Sequence, residues 1–130
     1  PAPVRDRAHI GTDLQRLVRG GVATVRAVRA NPLFARIVEL DPELLLPYLV
    51  ERPGRSQRIV LDVIAAQVRA GQASGAIRAG DPELLARSIV LACHGFTLSA
   101  HTMVDDSARD ADVSHLDAEL EQLVRRYLEA

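Results

Sequence analysis

From Glu83 to Val104 (ELLARSIVLACHGFTLSAHTMV) no proline and no cluster of turn residues interrupts the chain. The stretch opens on Asp81-Pro82-Glu83. The Asp81 carboxylate can accept orphan N–H groups of a first helical turn, Pro82 fits the first helical position, and Glu83 complements the positive end of the dipole. The pattern predicts a helix of about 22 residues, or about 33 Å. The remaining elements must pack along such a rod, and no segment alternates with period two for long enough to be a strand. The expected fold class is all-α, with about six helices.

At 100° per residue, Ser88, Ala92, Gly95 and Ser99 fall on one narrow stripe of small side chains. Leu84, Leu91 and Leu98 flank it on one side, and Leu85, Ile89, Phe96 and Met103 on the other. Small residues let a second helix backbone approach closely, and the flanks supply apolar area to bury. That second helix belongs either to the same chain or to a partner.

Cap chemistry marks the other helices. A first amphipathic helix starts at Asp6 or Thr12 and reaches about Ala30, through Ile10, Leu14, Leu17, Val18, Val25 and Val28. Gly20-Gly21 inside it costs about 1 kcal/mol per glycine relative to alanine and suits a bend or a close backbone approach. Asn31-Pro32 begins a short helix carrying Leu33, Phe34, Ile37 and Val38. Asp41-Pro42-Glu43 begins another, which Pro47 must kink or break. Arg52-Pro53-Gly54 reads as a turn, and Ser56 as the cap of a largely apolar helix, expected to be the buried central one, with Ile59, Val60, Leu61, Val63, Ile64 and Val68. Gly71 and Gly75 punctuate its end. Asp105 to Val113 is polar and aperiodic and reads as a surface loop. Ser114 to Asp117 resembles a capping box, opening a last helix with Leu116, Leu120, Leu123, Val124 and Tyr127.

With 130 residues the chain is one domain, residues 1–130, large enough to bury a core without disulfides or metal. Hydrophobic residues at 48% and charged ones at 25% exclude disorder. The single cysteine, Cys93, rules out an intrachain disulfide framework and suits a reducing cytoplasm. No apolar run approaches the ~20 residues of a membrane span. Pro1-Ala2-Pro3 carries no signal pattern, so the chain reads as one domain of a longer soluble protein. A net charge of −1 offers no phosphate-binding surface, so contact with DNA is not expected of this chain alone.

No catalytic constellation is visible. The histidines His9, His94, His101 and His115 form no HExxH or Cys-His cluster. His94 and His101 stand about 10 Å apart along a helix, too far to share one metal by themselves. No metal or other cofactor is expected. Glu39-Asp41 and Asp105-Asp106 are better explained by capping and solubility than by acid–base work. An enzyme is therefore not expected.

The segment RAGQASGAIRAGDPELLARSIVLACHGF resembles TetR-family transcriptional regulators, at the point where a core helix ends in a Gly-containing turn and an Asp-Pro-Glu-capped long helix follows. The resemblance implies the C-terminal effector-binding and homodimerisation domain of such a repressor. The helix-turn-helix that reads DNA is then expected outside this chain, because nothing before Asp6 is long enough to hold it. The last two helices, about 82–104 and 114–129, would supply half of an intermolecular four-helix bundle. Its interface would use the stripe Ser88, Ala92, Gly95 and Ser99, flanked by Leu91 and Leu98, with Leu116, Leu120, Leu123 and Tyr127. An effector would sit among the first four helices. Periodicity turns Leu17, Val18, Phe34, Ile37, Tyr48, Leu49, Val60, Ile64 and Gln67 inward there, against Ile89 and Phe96. Such a lining suits a neutral or weakly anionic apolar molecule, and aromatic residues at 3% are too few for a cation cage. The other reading of the same pattern is a stand-alone helical protein–protein interaction module without a small-molecule site.

Overall fold

The computed structural model describes the backbone of residues 4–51 and 54–130, and side chains of 13–47, 49–51 and 54–130. His9, Ile10, Thr12 and Tyr48, as side chains, and the Arg52-Pro53 part of the expected turn lie outside the described residues. The described chain is helical: α1 (Val4–Ala30), α2 (Pro32–Leu40), α3 (Arg55–Ser74), α4 (Pro82–Ser99) and α5 (Arg109–Leu128). A 3-10 turn at Pro42–Leu45 and a π-helical turn at Pro47–Glu51 separate α2 from α3. Pro47 has no N–H to continue a helix, so the Asp41–Glu51 segment is broken in two at that residue.

α1 is the central element, packing against α3, α4 and α5 as well as α2. Its stripe Leu17, Val18, Val22 and Val25 joins Val68 of α3, Leu85 and Ile89 of α4, and Leu120, Val124 and Leu128 of α5 in one core. A smaller cluster of Leu61, Ala65 and Ala86 seals the α3–α4 contact. The expectation that α3 is the buried central helix is corrected. Ile59, Val60 and Val63 are exposed, and α3 turns only one side inward.

Cap chemistry works where a side chain reaches the first turn. Asn31 Oδ1 accepts from the N–H groups of Leu33 (2.9 Å) and Phe34 (3.3 Å), and Asp81 Oδ1 from that of Glu83 (3.0 Å). Ser56 does not cap α3. Gly54 takes that position, and Gln57 Oε1 accepts its N–H at 3.0 Å. α3 ends at Gly75, whose φ of 85° lies in the left-handed region, while the Ala76 N–H closes back on the Gly71 carbonyl at 2.9 Å. The reversed chain then pairs with the C-terminus through an isolated antiparallel bridge, Ile77 to Glu129.

Two boundaries differ from expectation. α4 ends at Ser99 and tightens into a 3-10 turn, Ala100–Met103, so the rod is shorter than the uninterrupted run to Val104. The Asp105–Val113 stretch is not a loop: a 3-10 turn at Asp106–Ala108 leads directly into α5 at Arg109, and Ser114 lies inside the helix. Asp110 and Asp112 fall in its first turn, where carboxylates oppose the helix dipole favourably.

The glycines separate into two kinds. A Cβ at Gly20 or Gly21 would meet nothing within 4 Å, and α1 runs through both without interruption, so neither a break nor a close approach explains them. A Cβ at Gly71 would fall inside the Ile77 side chain, because the returning turn packs directly on α3. Gly20→Ala is therefore expected to stabilise the fold by about 0.5–1 kcal/mol, and Gly71→Ala to destabilise it by about 1–3 kcal/mol through overpacking. Denaturant midpoints of the two variants measure both signs.

Candidate functional site

α4 and α5 each leave apolar side chains uncovered. Ser88 Oγ donates to the Leu84 carbonyl at 2.9 Å, so its hydroxyl is satisfied within the helix and the small-residue stripe offers little polar competition to an apolar contact. Ala92, Gly95 and Ser99 are exposed, Ser88 and Leu98 are half-buried, and no atom lies within 4 Å of a Cβ built at Gly95. Leu91 is 70% exposed and Leu123 of α5 56%, both large apolar side chains without cover. Leu116 and Tyr127 are half-buried, and Tyr127 packs against the chain's own core.

Leu120 departs from this set. It is fully buried in the core of its own chain and so is not available to a partner. The inward line of α5 is Asp117, Leu120, Val124 and Leu128, rotated by about one residue from the apolar face expected. Tyr127 is held in place: the Arg78 guanidinium stacks 4.6 Å from its ring centroid, and Arg78 Nε donates to the Tyr127 carbonyl at 2.7 Å.

The residues expected to line an effector site separate into two groups. Leu17, Val18 and Ile89 are buried, and with the partly buried Ile64 and Phe96 they belong to the main core cluster. They fill the interior against one another. Phe34 and Ile37 are half-buried on α2, a helix with no buried residue, and Gln67 is half-buried on α3. Leu49 and Val60 are exposed. Leu44, Leu46 and Val50 of the short turns, and Ile59 and Val63 of α3, share that exposure and were not anticipated. Helical spacing marks them as apolar, but it does not say which flank of a helix its neighbours leave uncovered.

Among the described residues no group of three His, Cys, Asp or Glu side chains is placed to hold a metal ion. Among the described residues no helix is long and apolar enough to cross a membrane. Burial raises the pKa of the Cys93 thiol, which keeps it protonated and poorly nucleophilic.

His94 is the titratable group with a functional consequence. Gln57 spends its Oε1 on the Gly54 N–H, so its amide NH2 faces His94 Nε2 at 3.4 Å and requires an acceptor there. Neutral His94 supplies one, and desolvation lowers its pKa from the ordinary 6.5. The folded state therefore binds a proton at His94 less readily than the unfolded chain. The resulting stability is present above pH 6.5 and is lost as pH falls below that value toward the lowered folded pKa. Melting temperature should fall between about pH 7.5 and about pH 5, and fall less in His94→Gln. Equal slopes in the two proteins would show that His94 is not the group responsible.

No family model matches the chain, and no solved structure matches it closely enough to compare. Similarity is found to curated proteins described as uncharacterised HTH-type transcriptional regulators, Rv2250c and MT2310 of Mycobacterium tuberculosis and Mb2274c of Mycobacterium bovis. Each is 30% identical over 108 residues, covering 81% of this chain and 56% of the relative. The chain thus spans about half the length of the curated relatives it matches.

Proposed function

From a likeness to helix-turn-helix regulators that extends over little more than half of their length, we propose that this chain is the effector-sensing and homodimerising part of a TetR-like transcriptional repressor. The observation that carries the reading is the apolar surface that α4 and α5 leave uncovered: Leu91 beside the Gly95 stripe on α4, and Leu123 on α5. A second copy of the same face would complete a four-helix bundle and remove those side chains from water. DNA would be read by a portion of the protein outside this chain, in keeping with the greater length of the relatives. A protein of this kind works in the cytoplasm, where its operator is.

In this mechanism an apolar effector seats against α2, the 42–51 turns and the outer side of α3, with the half-buried Phe34, Ile37 and Gln67 and the exposed Leu49 and Val60 among its contacts. Binding favours one setting of α2 against the rest of the chain and so one arrangement of the two subunits, which changes the spacing of the DNA-reading parts. Equal affinity for both arrangements would shift nothing, so the effector must grip one of them better.

The dimer is tested by sedimentation equilibrium. The wild-type chain should associate at micromolar concentration, and Leu91→Asp or Gly95→Leu should raise the dissociation constant by at least about tenfold, as expected of a residue near the centre of a packed interface. A monomeric wild type would remove the reading.

A second reading, an interaction module with no small-molecule site, is favoured by one observation: Leu17, Val18 and Ile89 close on the core instead of lining a void. A thermal-shift panel separates the two. For a sensor, apolar compounds at about a hundredfold excess over their dissociation constant should stabilise the fold by about 2.7 kcal/mol, and Val60→Asp should abolish the shift. An interaction module would give no shift with any of them.

A further inference from the structure

Arg29 stands where three helices meet. It lies in the last turn of α1, two residues before the Asn31 that caps α2. Its Nη2 donates to Asp117 Oδ2 on α5 at 2.5 Å, and its Nη1 to the Phe96 carbonyl in the last turn of α4 at 3.3 Å. Arg26, one turn back, donates Nε to the same Asp117 oxygen at 3.2 Å. Asp117 is 2% exposed, and its Oδ1 has no hydrogen-bond partner among the described residues.

Stability alone does not account for this cluster. A buried ion pair roughly breaks even with an apolar replacement of the same shape, and an unpaired buried oxygen adds a desolvation cost. What the cluster supplies is geometry. The guanidinium is a planar fork, so bonding α5 with one tine and α4 with the other fixes the angle at which the end of α1 meets both helices. The chain then enters α2, which packs against α1 and the turn that follows it and buries none of its own residues. Arg29 thus stands two residues before the Asn31 cap of α2, on the backbone through which a displacement of α2 would act.

We infer that Arg29, with Asp117 and Arg26, is a positioning device that couples α2 to the relative setting of α4 and α5. Its output through association rests on the dimer reading above, whereas the coupling itself lies within one chain. Phe34→Ala is the input, because Phe34 is half-buried on α2. Arg29→Lys keeps the charge and loses the fork, and Asp117→Asn keeps the shape and loses the charge. The wild type, Phe34→Ala, Arg29→Lys and their double variant, and the same set with Asp117→Asn in place of Arg29→Lys, are compared in two measurements: the dimer dissociation constant by sedimentation equilibrium, and amide hydrogen exchange in the last turn of α4 and around Asp117. In the wild-type background Phe34→Ala should change the dissociation constant by about fivefold or more and speed exchange in the last turn of α4. In the Arg29→Lys and Asp117→Asn backgrounds both effects should vanish. A merely structural ion pair would leave the effect of Phe34→Ala the same in every background, and that result overturns the inference, as does no effect in the wild type. If the wild-type chain is monomeric, the dimer reading fails and exchange alone decides: an effect of Phe34→Ala lost in both backgrounds sustains the coupling, and one that persists or never appears overturns it. Should either background fail to fold by circular dichroism, the other one decides.

Discussion

The structure depends on the burial of one stripe of α1. Leu17, Val18, Val22 and Val25 recur at helical spacing, and α3, α4 and α5 each lay an apolar line against them. Each buried aliphatic side chain contributes about 1.5–3 kcal/mol on transfer from water, and most of the buried apolar residues belong to this core, so it supplies most of the hydrophobic driving force. Two features follow. α3, α4 and α5 must each keep one side for α1, which limits what else that side can do. Gly71 must remain without a side chain, because the turn after α3 returns Ile77 and Ala76 to the same core across its backbone.

What was legible in the amino-acid sequence follows the range of the physics involved. Asn31-Pro32 and Asp81-Pro82 mark helix starts correctly because capping is settled within four residues. Gly75 marks a helix end for the same reason, since only its own φ is at stake. Asp105 to Val113 misleads because aspartates that look like loop residues also favour the first turn of a helix, and which applies depends on what the chain packs against afterwards. The open side of α4 is visible as a stripe of small residues, but periodicity alone could not decide between its own core and a partner. On α5 the face expected to meet a partner shares Leu120 with the line that is buried in the chain's own core. Leu116, Leu120, Leu123 and Tyr127 form a plausible face, yet the buried line passes through Asp117, and a buried carboxylate is unexpected until its arginine partners on α1, some ninety positions away, are known.

Those partners also explain why Asp117 is tolerated. A carboxylate among Leu120, Val124 and Leu128 would be strongly disfavoured alone, but Arg26 and Arg29 bring two positive charges to one oxygen. Arg29 is mostly buried and Arg26 mostly exposed, so the two contribute differently. The Arg29 bond is shielded from water and sets position; the Arg26 bond is screened and adds little beyond neutralising the site. Placing the buried bonds at the end of α1 leaves the long apolar seam free to hold the helix along its length, while the Arg29 fork, on Asp117 and the Phe96 carbonyl, orients that end.

The distribution of uncovered apolar side chains then constrains what the chain does. Isolated exposed leucines need no explanation, but here they gather on particular elements. Leu84 and Leu91 lie on the outer side of α4, flanking its stripe of small residues, and Leu123 lies on the outer side of α5. Leu44, Leu46, Leu49 and Val50 lie on the short turns, and Ile59, Val60 and Val63 on α3. The two sets differ in the backbone that carries them. The first sits on long, regular helices anchored to α1, which can present a fixed surface to an identical surface. The second sits partly on a segment interrupted at Pro47, beyond α2, which buries none of its own residues, and so presents an irregular surface in place of a regular helix face. Arg29 lies between them, where α1 ends and α2 begins, and it is bonded to both of the rigid helices.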